Sequence, residues 1–246
     1  VGGHFEPYCL RCGDVQDEEV VRCAECGGTL GFRYDHEAVE WDERLEGMWR
    51  YRRLLPVVEP DAIVTLGEGG TPLLRSASLG QHVYLKDEAR NPTGSHKDRP
   101  LALAVTHARE LGKDASIVVS SGSTGISNAA FAARAGIASV IVVAAGAPPE
   151  RIYPVYALGA TLLAADGQVD EVIERVEEAS GERGFYVSST CRTSNPYQAE
   201  ATKTIAYEVV DQLGRAPDWI VVPVGGGGTI AGVWRGFLDL RELGRI

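Results

Sequence analysis

Asn91-Pro92-Thr93-Gly94-Ser95-His96-Lys97-Asp98-Arg99, running on into Pro100-Leu101-Ala102-Leu103-Ala104-Val105, is the stretch that decides how this chain is read. Asn-Pro and Thr-Gly are turn dipeptides, so the segment opens as a tight loop. Leu101, Ala104, Val105, Ala108 and Leu111 then fall on one helical face. Pro100 lacks an amide hydrogen and fits only the first helical turn, which sets the helix start at about Lys97 to Arg99. Lys97 therefore sits at a helix N-terminus, where the macrodipole disfavours its charge. An ordinary lysine titrates at about 10.4. Such a site moves it towards a neutral, nucleophilic amine. A solvated lysine beside a helix start is nevertheless the commoner fate of an isolated Lys-Asp pair.

Outward from this loop the chain alternates. Strands are expected at Val83–Asp87, Ala115–Ser120, Ser139–Val143, Thr161–Ala164, Phe185–Val187 and Trp219–Val224. Helices are expected at Ile126–Ala135, Arg151–Leu158, Val169–Ser180, Ala199–Leu213 and Ile230–Leu240. Apolar strands each followed by an amphipathic helix imply a parallel sheet covered on both faces. Ligands then belong at the carboxyl ends of the strands.

Two loops rich in small residues fall at such ends. Ser120-Ser121-Gly122-Ser123-Thr124-Gly125 turns a strand into a helix, and its amides form a ready anion site. Gly225-Gly226-Gly227-Gly228-Thr229 follows the apolar Ile220–Val224 and precedes the last helix, so its backbone can approach a phosphate closely. It is not a Walker loop, because no Gly-Lys-Ser/Thr follows, and Ile230 stands where a dinucleotide fingerprint needs its last glycine. Taken alone, the first of these loops reads as a capped structural turn.

Near the start, Cys9-Leu10-Arg11-Cys12 and Cys23-Ala24-Glu25-Cys26 form two Cys-x-x-Cys pairs, each followed by glycine. Cys9, Cys12, Cys23 and Cys26 suit a tetrahedral Zn²⁺, and ligation by four cysteines leaves no open position, so the metal is expected to be structural. Two disulfides are the competing reading, disfavoured in a reducing cytosol when the first residues show no secretory pattern. Asp14, Asp17, Glu18 and Glu19 between the pairs argue against a nucleic-acid finger. The net charge of −10 over 246 residues argues likewise against nucleic acid and anionic membrane surfaces. No apolar run is long enough to span a bilayer. A cytoplasmic protein acting on a small molecule is expected. The chain begins at Val1 and stops at Ile246, just after a helix; the expectation is a piece of a longer reading frame, truncated at its C-terminus.

The loop at Lys97 resembles the Pro-Thr-Gly-Ser-x-Lys-Asp-Arg motif of threonine synthases, which are pyridoxal-phosphate (PLP) enzymes of fold type II. Leu66-Gly67-Glu68-Gly69-Gly70-Thr71-Pro72-Leu73 and Asn195-Pro196-Tyr197-Gln198-Ala199-Glu200 resemble two further motifs of that family. The resemblance runs from about Cys9 to Ile246. It implies PLP held by Lys97 as a Schiff base, with Lys97 also the catalytic acid and base. It implies cofactor contacts from Ser123, Gly225, Gly226, Gly227, Gly228 and Thr229. Substrate would be held by Ser121, Gly122, Thr124, Asn195 and Gln198, with Arg192 close enough in sequence to add a charge. An α/β fold is implied, with two parallel-sheet domains behind an N-terminal zinc ribbon. Residues 1–34 would be the ribbon, 35–60 a linker with a helix, and 61–246 the catalytic region. Within that region a small domain would cover about 80–180, and a large domain 61–79 plus 181–246.

The implied activity is conversion of O-phospho-L-homoserine and water to L-threonine and phosphate, by a homodimer when full length. The chain departs from the family pattern at Ser123, where an Asn is usual, and at Gln198, where an Arg is usual. These departures and the all-glycine loop keep open a cysteine synthase-like β-replacement or β-elimination enzyme. A PLP- or amino-acid-binding sensor without turnover is the third alternative.

Overall fold

The computed structural model describes residues 5–37, 39–57 and 59–246. Its elements follow in chain order. β1 (Phe5–Cys9) and β2 (Leu30–Tyr34) form an antiparallel hairpin, and a 3₁₀ helix covers Gly47–Leu54. β3 (Leu73–Arg75) and β4 (Tyr84–Lys86) form a second antiparallel pair. α1 (Asp98–Glu110), β5 (Ala115–Val119), α2 (Ser123–Ala135), β6 (Ala138–Ala144), α3 (Pro149–Ala157), β7 (Thr161–Ala165), α4 (Val169–Arg183) and β8 (Tyr186–Val187) come next. α5 (Pro196–Ala199), α6 (Thr204–Leu213) and α7 (Gly228–Glu242) complete the chain.

The expected parallel sheet is present, with strand order β7-β6-β5-β8. Its side chains alternate between two cores, as the period of two requires. Val118, Ile141 and Val143 pack with Ala129 of α2 and Val155 of α3 on one face. Ile117 and Val142 pack with Val172 of α4 on the other. This is why β5 and β6 read as apolar runs, broken only by Ser116 and Ser139.

α1 is the most enclosed of the long helices. Every residue from Asp98 to Ala108 is buried, and Leu101, Leu103 and Val105 pack against Met48, Trp49, Leu55, Val64 and Phe131. Each such side chain contributes about 1.5–3 kcal/mol by leaving water. The helix that follows Lys97 is thus fixed from all sides.

Two expectations are corrected. Trp219–Val224 forms no strand, and the second parallel sheet is not built among the described residues. A strand needs a neighbouring backbone to satisfy its amides and carbonyls; here Trp219 and Val221 stay 89% and 92% exposed. The expected single helix over Ala199–Leu213 is divided into α5, a 3₁₀ turn at Glu200–Lys203, and α6.

The hairpin packs against the later helices. Phe5, Phe32 and Tyr34 share a core with Tyr197, Tyr207 and Leu240. Beside it lies a buried ionic cluster. Glu200 accepts from the Tyr34 hydroxyl at 3.0 Å and pairs with Lys203 at 2.9 Å, Arg235 at 3.5 Å, and Arg192. Lys203 also meets Asp239 of α7 at 3.0 Å. Burial works against the Glu200 carboxylate, yet Lys203, Arg192 and Arg235 hold its pKa far below the usual range.

Candidate active site

The motif around Lys97 divides its labour. Asp98 is fully buried and accepts from the Thr93 amide at 2.6 Å, the Thr93 hydroxyl, and the Ser127 hydroxyl at 2.7 Å. It pins the turn to α1 and α2. Arg99, also fully buried, donates to Glu88 at 2.7 and 2.8 Å, to Glu208 at 2.6 and 2.8 Å, and to Thr204 at 2.9 Å. Burial alone would raise the Glu208 pKa, but Arg99 and then Lys86 outweigh it and hold the carboxyl at about 2. Asp98 and Arg99 are therefore scaffold. Lys97 is the group left over.

Lys97 stands at the N-cap of α1, its amide donating to Ser95 Oγ at 3.2 Å. Its side chain is half-buried, and Nζ has no hydrogen-bond or ion-pair partner among the described residues. Burial pushes its pKa down from the usual lysine value. Two other lysines are occupied. Lys86 donates to Thr71 O at 2.6 Å, to Gln212 at 2.9 Å and to Glu208 at 2.6 Å. Lys203 lies between Glu200 and Asp239, 3.8 Å from the Tyr34 ring centre.

The glycine turn at Gly67–Gly70 braces this loop. Glu68 is fully buried and accepts from Trp49 Nε1, the Thr65 hydroxyl at 3.1 Å and the Leu66 amide at 2.9 Å. The Gly69 amide donates to Asn91 Oδ1 at 2.9 Å, and the Gly70 amide to Glu208 at 2.8 Å. Gly69 has φ +85°, and a Cβ there would lie 2.4 Å from the Met48 nitrogen, so no other residue fits.

Lys97 opens into a cavity of about 1130 Å³ whose wall includes His96, Lys86, Glu88 and Gly225–Thr229. The glycines lead into α7, with Gly227 at φ +81° as its N-cap. A Cβ at Gly225 or Gly226 would meet nothing within 4 Å, whereas one at Gly228 would lie 2.9 Å from the Thr190 carbonyl. The amine and the glycine loop, 128 residues apart at their nearest, thus share one cavity.

The other expected residues are placed differently. Thr124 lines a neighbouring cavity of about 150 Å³, which shares Thr190 and Cys191 with the larger one. Ser121, Gly122 and Ser123 are half-buried at the start of α2 and line neither. Asn195 is fully buried and caps α5, accepting from the Gln198 amide at 3.2 Å and donating to Val187 O at 2.8 Å. Gln198 is fully buried, and neither side-chain amide atom has a hydrogen-bond partner among the described residues. Arg192 turns away from the cavity, donating to Glu200 and to Leu30 O at 3.3 Å. His96, Lys86 and Glu88 were not legible as cavity residues. Only the strand expected at Val83–Asp87 and the position of His96 beside Lys97 pointed that way.

At the other end of the molecule the four cysteine sulfurs lie within 4.8 Å of one another. The two pairs adopt matching turns, with Gly13 N donating to Cys9 O at 3.0 Å and Gly27 N to Cys23 O at 2.9 Å. The amide of Cys12, and then that of Arg11, hold the Cys9 thiol down at about 6.

An amine of lowered basicity sharing a cavity with a glycine-lined helix N-terminus, in a fold that contains a parallel α/β sheet, defines a class of cofactor enzyme. The sequence model described as "Pyridoxal-phosphate dependent enzyme" matches residues 64–246, and the chain belongs to that family. Within it, the chain is similar to threonine synthases. It is 36% identical to the threonine synthase of Methanocaldococcus jannaschii, over 97% of this chain and 62% of that protein. It is also 36% identical to that of Methanosarcina acetivorans, over 96% of this chain and 60% of that protein. The chain therefore spans about three fifths of the length of these relatives. Its fold matches O-ureido-L-serine synthase with a TM-score of 0.60 at 28% identity, covering 70% of this chain and 57% of that one.

The donor set fits pyridoxal 5′-phosphate. Lys97 offers an unpaired, partly desolvated amine, and Gly225–Thr229 offer backbone amides at the start of a fifteen-residue helix. At Gly225 and Gly226 no side chain occupies the approach.

Proposed function

We propose that the chain is the PLP-binding part of a threonine synthase-like lyase, converting O-phospho-L-homoserine and water to L-threonine and phosphate. The observation that carries this reading is the one cavity shared by the unpaired Lys97 amine and the glycine-lined start of α7. Bound PLP supplies an electron sink for carbanions next to the substrate nitrogen. Lys97 would hold the cofactor and Gly225–Thr229 its phosphate. Lys97 Nζ, with its basicity lowered by burial, would take and return protons at the substrate carbons. Ser121 to Thr124 would hold the substrate carboxylate with amides at the start of α2, which requires a substrate that reaches from the Lys97 cavity into the smaller one lined by Thr124. Asp98 and Arg99 keep Lys97 in position.

The small domain of this reading centres on the four-stranded sheet and the large one on α6 and α7. β8 and α1 join the two. In the same proposal Cys9, Cys12, Cys23 and Cys26 hold a structural Zn²⁺. Support comes from their converging sulfurs and paired turns. Homodimer assembly and a cytoplasmic setting complete it.

A cysteine synthase-like β-replacement is the second reading, and one observation favours it. Arg192 is committed to Glu200, and Gln198 carries no charge, so neither offers a cation to a substrate phosphate. Product analysis with O-phosphohomoserine, O-acetylserine plus sulfide, and serine decides between them. Threonine from the first substrate supports the first reading; cysteine from the second, without threonine, replaces it.

A further inference from the structure

We propose that His96 is a phosphate-binding residue of the cavity, donating an imidazole N–H to a phosphate monoester held there. The inference rests on the functional reading above, and it follows from the cavity wall: His82, Tyr84 and Trp219 also line it but are exposed, Thr190 and Thr229 offer only hydroxyls beside or within the glycine loop, and among the other described side chains His96 is the half-buried one left free. Lys86 is committed to Thr71, Gln212 and Glu208, and Glu88 to Arg99. Thr202 donates to Ala199 O at 2.9 Å, and Arg215 pairs with Asp218 at 3.3 Å. Lys97 is the amine for the cofactor. His96 lines the same cavity, is half-buried, and its ring has no hydrogen-bond partner among the described residues. Its main chain is fixed, since its carbonyl accepts from the Arg99 amide at 3.3 Å.

The ring is suited to an anion. Burial, then Lys97, lower its pKa against the opposing pull of Glu88 and Asp98, so it is a neutral donor near neutral pH. A phosphate monoester carries close to two negative charges there and accepts strongly. Nothing needs to move a proton for the bond to form. The phosphate has two sources of the same chemistry, the cofactor and the substrate, and the protein tells them apart by which affinity depends on His96.

The test uses His96→Phe, which keeps ring volume and removes the donor, and His96→Asn, which keeps an N–H. Apoprotein is titrated with PLP and with pyridoxal, which lacks the phosphate, and binding is read from the visible absorbance band. KM and kcat are measured with O-phosphohomoserine, and inorganic phosphate is tested as a competitor. A lost hydrogen bond to a charged group corresponds to about a tenfold or larger loss of affinity. If the cofactor phosphate is the partner, His96→Phe weakens PLP by about tenfold, leaves pyridoxal unchanged, and His96→Asn recovers most of the loss. If the substrate phosphate is the partner, PLP is unchanged, KM rises about tenfold at constant kcat, and inhibition by inorganic phosphate weakens in parallel. Equal losses of PLP and pyridoxal, or no loss in any titration, overturn the assignment. A wild-type protein that makes no threonine sinks the functional reading alone, and the comparison of PLP with pyridoxal still decides the role of His96.

Discussion

Glu208→Gln is the substitution whose effect the structure sizes best. Glu208 is almost fully buried and accepts from Arg99 at 2.6 and 2.8 Å, from Lys86 at 2.6 Å and from the Gly70 amide at 2.8 Å. Glutamine keeps the shape and removes the charge, leaving Arg99 with Glu88 as its remaining carboxylate. Breaking a buried ion pair costs about 3–5 kcal/mol. Titration gives a similar figure. The Glu208 pKa falls from 4.5 to about 2 on folding, which at roughly 1.4 kcal/mol per tenfold change in proton affinity is worth roughly 3 kcal/mol. The folded pKa is the lower one, so this stability is fully present above the unfolded value and disappears as pH falls from about 4.5 towards 2. Urea unfolding at about pH 7 is expected to show Glu208→Gln less stable by roughly 3 kcal/mol. The gap to the wild type is expected to narrow as pH drops below about 4.5. A difference under about 1 kcal/mol at pH 7, or a gap that stays constant down to about pH 3, refutes the claim that this carboxylate anchors the lysine loop.

Borohydride reduction of the PLP-loaded protein is expected to leave a pyridoxyl group on Lys97 in peptide mass spectra; the adduct on Lys86 or Lys203 would sink the assignment. Gly228→Ala places a methyl 2.9 Å from the Thr190 carbonyl; it should weaken PLP binding several-fold by equilibrium titration while secondary structure by circular dichroism is kept. Chelation of zinc is expected to lower the unfolding midpoint of the whole chain and not only to disorder residues 5–34. The reason is that Tyr197 donates to Glu18 O at 2.6 Å and stacks 3.9 Å from His107 of α1; hydrogen exchange confined to the hairpin would contradict this. Arg192→Ala should destabilise the fold by removing one of the three cations that hold the buried Glu200 carboxylate, yet leave KM for O-phosphohomoserine within about twofold; a large rise in KM would mean that Arg192 reaches the substrate after all.

The sequence by itself determined the alternating sheet, the helix start at Lys97 and the two glycine loops. These are local statements: β5 and β6 are apolar apart from Ser116 and Ser139, Pro100 fixes a first turn, and Gly227 takes the positive φ that leads into α7. Only the tertiary structure decided what the polar residues of those motifs do. Asp98, Arg99 and Glu68 are only charged letters within their motifs, yet each is buried and tied to residues outside its own motif, Ser127, Glu208 and Trp49 respectively. Arg192 seemed able to serve a substrate, and its partner Glu200 claims it instead. Trp219–Val224 has the composition of a strand, but strand formation depends on a neighbouring backbone, which composition does not contain. Charge pairing and sheet pairing join residues far apart in the chain, so the sequence names the candidates and the packing assigns them.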